Sequence, residues 1–403
     1  MKLGVLITRF PDQTSISMWR VASALRELGC EVHMFSTRRP DASLRCHAHL
    51  WDEAERTFYS WPPRAGLAAR RVAGRPFGVM SGMGYLAGLS ESGWAEKLRL
   101  APMIASGAAL AEHARRHRLE HVIVHSCAKA AHLINVARAM GGPPFSLRLG
   151  GELGVYGKDH RSKLAAATCL FPAARCNAEE VIEKRLFPEA RITPTPLGVD
   201  TRRFTPRSAE AKAEGAAQSN GRLKLVTVAR LNPAKGHRFA LDAVASLKQR
   251  GVSLHYTMAG DGPAEADLRE RVAKLGLEAD VAFTGALDED RVIEVLRASD
   301  VFVLPSVGIG EASPVATIEA MSCGLPVIST VIGGTPDLLT EGVEGLLVPQ
   351  KDGEAIAAAV EKLAAVSTLR RTMGAAARRR AENEYDCRQV AQKMTQAIQR
   401  WAS

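Results

Sequence analysis

The sequence predicts an α/β protein made of two doubly wound, parallel-sheet domains. Three observations predict it. The chain has 403 residues, more than one hydrophobic core usually serves. Short apolar runs alternate with helical patterns, the signature of parallel strands joined by crossover helices. That alternation stops at a turn-rich connector, Pro194–Pro206, and starts afresh about twenty residues later. The expected domains are therefore 1–200 and 201–386, followed by a terminal helix over about 387–403.

In the first domain, Leu3–Thr8 is a short apolar run of the kind buried in a parallel sheet. Ser15–Leu28 places Ile16, Trp19, Val21, Ala24, Leu25 and Leu28 at helical spacing, and Gly29 supplies the stop. Strands are expected next at 32–36, 122–125, 145–149 and 168–171. The stretch from Trp61 to Leu89 differs, because it mixes Trp61, Phe77, Tyr85 and Leu86 with Arg64, Arg70, Arg71 and Arg75 among many glycines and prolines. Such a stretch reads either as an amphipathic element for a membrane surface or as a capping segment beside a substrate site.

After the connector, Ser208–Gly221 is rich in Ala, Glu, Gly, Ser and Asn and reads as an exposed loop. Strands then follow at 223–228, 254–259, 281–284, 301–304, 327–329 and 345–348. Helices are expected between them, notably at 239–249, 264–275 and 290–298, which describes a second doubly wound domain.

Composition narrows the function. No run of 18 uncharged apolar residues exists, so no spanning helix is expected. A strand begins at Lys2, so no secretory leader is expected. Seven cysteines without a C-x-x-C pattern point to a reducing, cytoplasmic compartment. Residues 1–200 hold 27 basic and 18 acidic residues, so nine of the net ten positive charges lie there. A basic first half favours anionic lipid, a phosphorylated acceptor or nucleic acid over a neutral partner, unless it is only a solvated surface. No nucleic-acid motif accompanies it, so no nucleic-acid partner is expected.

The chemistry-bearing residues concentrate in the second domain. Arg230 lies just past a strand and Lys235 five residues on, near a helix start. Ligands of open α/β sheets bind at such strand ends, and two cations beside a helix N-terminus suit a diphosphate. Gly260-Asp-Gly-Pro263 reads as a tight turn, through which backbone could approach a ligand or merely reverse direction. Beyond the strand ending at Leu304 stand Glu311 and Glu319, with Ser313 placed to cap a helix whose first residue is Pro314. Glu319 falls between core-like Ile318 and Met321, where a carboxylate is costly to bury without hydroxyl or cationic partners. Sugar and ribose hydroxyls would satisfy both glutamates.

With these residues in hand, the chain resembles the retaining GT-B glycosyltransferases of family GT4, the bacterial exopolysaccharide and cell-surface polysaccharide type. The resemblance rests on Glu311-x7-Glu319, Arg230 and Lys235, the Gly260-Asp-Gly-Pro263 turn, Phe283-Thr-Gly-Ala-Leu287, Glu319–Val327 and Gly198–Phe204. It implies a GT-B fold, two Rossmann-like domains facing a central cleft, with the nucleotide-diphosphate sugar held by the second domain. It also implies that the terminal helix crosses back onto the first domain.

The implied roles are as follows. Arg230 and Lys235 grip the diphosphate, Glu319 binds the ribose, Glu311 binds the transferred sugar, and the Ala312, Ser313 and Val315 backbone lies against phosphate or sugar. Gly260, Gly285 and Leu287 border the donor. No metal or other cofactor is implied, the cations standing in for one. The acceptor implied is a glycan or lipid-linked hydroxyl, with peripheral contact to an anionic membrane.

The first domain departs from the pattern. Relatives often carry His at the end of the strand matching Phe145–Leu149, and this chain has Gly150; relatives' His-x-His reads His125-Ser-Cys127. A Ser-Glu-Thr loop of relatives reads Gln13-Thr-Ser-Ile-Ser17. The acceptor-side candidates are then His125, Lys129, Arg148 and Glu152. The departure keeps open an impaired homologue that binds a nucleotide-sugar or partner protein, beside a same-fold nucleotide-sugar epimerase. A dinucleotide oxidoreductase is excluded, because Arg9-Phe-Pro-Asp-Gln-Thr14 replaces the glycine-rich turn after the first strand. Asp288-Glu-Asp290 reads as a helix cap rather than a metal motif. His113 and His117, four apart on a helix, read as an exposed face with no third ligand, as do His47, His49 and Asp52.

Overall fold

A computed structural model describes residues 1–12, 15–40, 50–208, 221–308 and 311–401. The chain divides into two compact units, Met1–Gly198 with Cys387–Ser403, and Val199–Asp386.

In the first unit the strands are β1 (Lys2–Arg9), β2 (Glu31–Arg38), β3 (Phe58–Tyr59), β4 (His121–His125), β5 (Phe145–Leu149) and β6 (Leu170–Pro172). They form one sheet in the order β3-β2-β1-β4-β5-β6, with every pairing parallel. The alternation of β1 serves two cores. Leu3, Val5 and Ile7 join one with the helices Ile16–Glu27 and Cys387–Trp401, while Leu6 joins the other with Leu110, Ala111, Val124 and Ile134. The terminal helix owes its place to an apolar stripe, Val390, Ala391, Met394, Ala397 and Ile398, at helical spacing and all buried.

The second unit repeats the plan with β7 (Leu223–Val228), β8 (Leu254–Ala259), β9 (Val281–Gly285), β10 (Val301–Leu304), β11 (Val327–Thr330) and β12 (Gly345–Val348). Its parallel sheet runs β12-β11-β10-β7-β8-β9. Counted within each unit, both sheets have the order 3-2-1-4-5-6. Chain direction away from the first strand reverses between β1 and β4 in one and between β7 and β10 in the other. Ligands of such sheets bind beyond the carboxyl ends of the strands at that reversal.

One expected strand is shifted and one further strand lies outside the expected set. The strand expected at 168–171 is Leu170–Pro172, although Thr168 N–H already bonds the Phe145 carbonyl at 2.8 Å. The short β3 pairs Phe58 with Phe35 and Tyr59 with Ser36; two residues are too few to show a period. The Trp61–Leu89 stretch, read as an amphipathic or a capping segment, consists mainly of two helices, Ala65–Gly74 and Pro76–Ala87. Gly78 and Gly82 of the second helix face inward, buried with Leu86 one and two turns along, and they let the helix approach Met140 and Ile104, while Gly66, Gly74, Gly84 and Gly88 are exposed. The exposed loop expected at 208–221 lies almost wholly outside the described residues.

Candidate functional site

The reversal between β7 and β10 collects the residues the sequence singles out. Beyond β7 the chain passes Ala229, Arg230 and Leu231 into a short 3-10 turn, Pro233–Lys235. Asn232 caps that turn, accepting from the Lys235 N–H at 3.2 Å. Gly236 has φ +66°, and a Cβ there would sit 1.8 Å from the Pro305 carbonyl oxygen. That close approach brings the loop after β7 against the loop after β10.

Across this contact Lys235 Nζ and Glu311 Oε1 form an ion pair and hydrogen bond. The Ser306 hydroxyl donates to the same Glu311 oxygen at 2.7 Å. Glu311 is buried, with 6% of its surface exposed. Its backbone carbonyl accepts from the Gly334 N–H at 2.9 Å, so the loop after β11 also holds it. A carboxylate so enclosed needs its cation and its hydroxyl donor. Arg230 is exposed beside this pair, and its carbonyl is 3.2 Å from the Nε2 of buried His237. Burial lowers the His237 pKa to about 4, so the ring is neutral.

The helix Val315–Ser322 follows. It begins one residue later than Ser313 and Pro314 suggest: Pro314 is the cap, because its ψ of 109° keeps it outside the helical region. Ala312, Ser313 and Glu319 are buried, and Val315 is half-buried at the first helical position. Glu319 lies on the second turn of this helix, with 7% of its surface exposed.

The Gly260–Pro263 turn is explained by the protein itself. Gly260 has φ +147°, and a Cβ would lie 2.0 Å from the Ala229 carbonyl oxygen. The turn docks on the loop after β7: Leu231 N–H donates to the Asp261 carbonyl at 2.7 Å, and Ala264 N–H to the Leu231 carbonyl at 2.9 Å. Gly260 N–H also bonds the Gly285 carbonyl at 3.0 Å, tying in the Gly285–Leu287 loop, where both residues are half-buried. Gly260 is therefore required by chain packing, whatever it meets besides. Asp288 caps the next helix, accepting from Arg291 N–H at 2.9 Å, while Glu289 and Asp290 pair with Arg203.

The acceptor-side candidates of the first unit separate into two groups. His125 ends β4 and Gly150 follows β5. A Cβ at position 150 would lie 3.7 Å from the Tyr156 hydroxyl and 3.9 Å from His125 Cε1, so the position has ordinary room. The Tyr156 hydroxyl also accepts from the Gly150 and Gly151 backbone, and burial pushes its pKa up to about 12. Lys163, itself buried, donates to the Tyr156 carbonyl at 2.8 Å and anchors this turn. Glu152 is half-buried at the start of the same turn, and Lys129 is exposed at the start of the helix Lys129–Ala139.

Arg148 belongs elsewhere, and this corrects its reading as a substrate-facing cation. It is fully buried and donates to the carbonyls of Thr195, at 3.0 Å, and Pro196, beside Met394 of the terminal helix. Burial lowers its pKa to about 10, and its role is to fasten β5 to the end of the unit. Arg71 is likewise structural, donating to the Met140 and Gly141 carbonyls at 2.8 and 2.9 Å. A second correction concerns His113 and His117, which do have a third imidazole nearby, His33 from β2. His47 and His49 lie outside the described residues.

Residues 209–380 match the family model described as "Glycosyl transferases group 1". The chain carries a glycosyltransferase group 1 domain. Every donor-side candidate lies within it. The chain is 38% identical over 192 residues to an Escherichia coli (strain K12) protein named as a colanic acid biosynthesis glycosyltransferase, WcaL, covering 47% of this chain and 45% of that one. It is 30% identical over 249 residues to the amylovoran biosynthesis glycosyltransferase AmsK of Erwinia amylovora, covering 61% and 59%. The matches thus span about half the length of these relatives.

Among solved structures, Anabaena Alr3699/HepE in complex with UDP superposes with a TM-score of 0.75 at 18% identity, covering 99% of this chain and 100% of that one. The lipopolysaccharide outer core galactosyltransferase WaaB gives 0.68 at 16% identity over 99% of each chain. These likenesses establish the GT-B fold.

Within the glycosyltransferase domain, sequence reasoning locates Lys235 and Glu311 but not their mutual contact, nor Ser306 beneath them. Ser306 is visible only as the residue two beyond a strand end. Tyr156 escapes it in the other unit, because a single tyrosine in a glycine-rich turn carries no pattern.

Proposed function

We propose that this chain transfers a sugar from a nucleotide-diphosphate sugar to a hydroxyl of a glycan or lipid-linked acceptor, with retention and without a metal. The observation that carries the reading is the Lys235–Glu311–Ser306 arrangement at the reversal between β7 and β10, the place where such sheets hold phosphorylated ligands. The group 1 match and the named polysaccharide-biosynthesis relatives support transfer over epimerisation. The UDP bound to the Anabaena protein supports a nucleotide donor.

In this reading Lys235 and Arg230 take up the negative charge that builds on the departing diphosphate. Glu311 orients the Lys235 ammonium before the donor arrives and then accepts from sugar hydroxyls. Glu319 accepts from the ribose hydroxyls. The bond from the anomeric carbon to the phosphate oxygen breaks, and one to the acceptor oxygen forms on the same face. The acceptor proton passes to the leaving phosphate oxygen. Asp288, Glu289 and Asp290 are occupied with a helix cap and with Arg203, which supports a reaction without a carboxylate-held metal.

Acceptor delivery at a membrane surface fits the outward face of the first unit. With Gly78 and Gly82 turned inward, the helix Pro76–Ala87 presents Phe77, Met80 and Met83 to solvent at 77%, 67% and 58% exposure. Trp94 and Leu98 stand exposed one turn apart on the helix Trp94–Leu100. Exposed Arg75 and Arg99 lie on or beside these helices, and exposed Arg64 and Arg70 on or beside the preceding helix Ala65–Gly74, so an anionic bilayer is the complementary surface. Among the described residues no helix is long and apolar enough to cross a membrane.

The test incubates the protein with UDP-, GDP-, ADP- and dTDP-sugars and an acceptor-rich extract, following release of nucleoside diphosphate. Release from one donor, lost in Glu319→Ala, is expected. No release from any donor removes the transferase reading. Vesicles address the surface: binding should need anionic lipid and fall with salt and in Phe77→Ser/Met80→Ser. Equal binding to neutral vesicles would remove the electrostatic component.

A further inference from the structure

Outside the site just described, three imidazoles gather at the opposite end of the first unit's sheet. His33 lies near the start of β2, in register with Gly4 of β1. His113 lies in the last turn of the helix Met103–Arg116, and His117 is the residue that ends it. A spacing of four puts those two on one helix face. One ring nitrogen from each of the three lies within 4.8 Å of the others. The ring centroids of His33 and His117 are 4.6 Å apart, and those of His113 and His117 are 4.3 Å apart.

We propose that His33, His113 and His117 bind a first-row divalent transition-metal ion, Zn²⁺ being the reference case, and that the ion ties the start of β2 to the end of the helix Met103–Arg116. Imidazole nitrogen is the donor suited to Zn²⁺, Cu²⁺, Ni²⁺ and Co²⁺. At Zn–N distances of about 2.0–2.1 Å, three tetrahedral ligands stand roughly 3.4 Å apart. Ligation would require the present spread to close to that value, and His117 is the exposed member of the three.

The surroundings supply what a ligand set needs. Glu31 Oε1 is 3.0 Å from His33 Nε2, a carboxylate contact that restrains that ring. His113 is held by Phe35 and Phe58, with ring centroids at 5.4 and 4.5 Å. The carboxyl end of a helix carries partial negative charge and favours a cation. Burial, then the neighbouring imidazoles, lower the His113 pKa to about 3, and burial lowers that of His117, so both rings are neutral at physiological pH, the form that ligates.

The charged groups facing the cluster are Glu31, Lys2, Arg64 and Arg116. Lys2 is paired with Glu31 at 2.7 Å and Arg116 with Glu112 at 3.1 Å, while Arg64 lies over the Phe58 ring at 4.8 Å. Their opposition to a cation is thereby reduced.

The experiment uses the full chain, stripped with a chelator and titrated with Zn²⁺ against a chromophoric competitor. One equivalent is expected to bind and to raise the melting temperature. His33→Gln and His117→Gln should each weaken binding at least tenfold and remove the rise. Co²⁺ should give visible absorption bands that these variants lose. His113 is packed among aromatic rings and its variants could fail to fold, so the test relies on His33 and exposed His117. Absence of a tight equivalent, or equal binding by wild type and His117→Gln, would show the three rings to be stacked packing alone.

Discussion

The ion pair between Lys235 and Glu311 makes a prediction that separates a formed site from two independent side chains. Glu311 is buried and accepts only from Lys235 and Ser306 among the bonds described for its carboxylate. Lys235→Met keeps the stem but strands that carboxylate. Breaking a fully buried pair costs about 3–5 kcal/mol. Lys235 retains 22% side-chain exposure, so water recovers part of the loss and about 2 kcal/mol is expected. Glu311→Gln leaves an ammonium that can turn to solvent, and should cost about 1 kcal/mol. The double variant carries no stranded charge and should lose only about 1–2 kcal/mol, a coupling of at least 1 kcal/mol.

The assay is urea unfolding followed by circular dichroism and by fluorescence together. Trp19, Trp51, Trp61, Trp94 and Trp401 all lie in the first unit, so tryptophan fluorescence reports on that unit and circular dichroism on both. The single variants should move the circular dichroism transition, with the fluorescence transition moving less. If the two single losses add to within about 0.5 kcal/mol, the pair is not made in solution, and Glu311 does not position Lys235 for a diphosphate.

Three further predictions concern buried or half-buried residues. His121, His132 and His237 are buried with pKa values lowered to about 3, 4 and 4, mainly by burial. The unfolded state therefore binds more protons between pH about 6.5 and 4, so stability is full above that window and declines as pH falls through it, by up to about 1.4 kcal/mol per pH unit for each group. Unfolding at pH 7, 6 and 5 should show this slope, and His121→Gln should make it shallower; a flat profile would mean that these rings are not held neutral by burial. Arg148→Ala should cost about 3 kcal/mol and shift the fluorescence transition, with no rescue by Lys, whose single ammonium cannot reach both the Thr195 and Pro196 carbonyls. Gly150→Ala should change the melting temperature by less than about 3 °C, because its added Cβ meets only ordinary contacts; a large loss would mean that Tyr156 and His125 leave no room for a methyl group.

Legibility in the sequence differs between the two units for a physical reason. In the second unit, backbone geometry demands unusual residues at fixed offsets from strand ends. Gly236 must clear the Pro305 carbonyl and Gly260 the Ala229 carbonyl, so the loops that carry Lys235 and border the site announce themselves. Strand ends, glycines and charges coincide there, and four of the six strands, β7, β8, β10 and β12, have the bounds expected from apolar runs. What the one-dimensional pattern cannot supply is the partner of each charge. Lys235 and Glu311 are 76 residues apart, and their contact exists only because the sheet order makes β7 and β10 neighbours.

In the first unit the chemistry is spread over side chains that long-range packing assigns. Arg148 and Lys129 look alike in sequence, two cations near strand or helix ends. The fold buries one against backbone carbonyls and leaves the other in solvent. The same logic explains the three imidazoles. His113 and His117 declare themselves by spacing, while His33 stands 80 residues before His113 and reaches them only because β2 runs under that helix. It also decides which residues of the Trp61–Leu89 stretch are buried. Gly78 and Gly82 form the inward face of a helix packed close to its neighbours, and Phe77, Met80 and Met83 are left outside. A helix that buries Gly78 and Gly82 and leaves Phe77, Met80 and Met83 in solvent gains little from burying its own apolar area. In the proposed membrane contact Phe77, Met80 and Met83 are the inserting side chains, and their substitution by serine should weaken vesicle binding while leaving the melting temperature within about 2 °C.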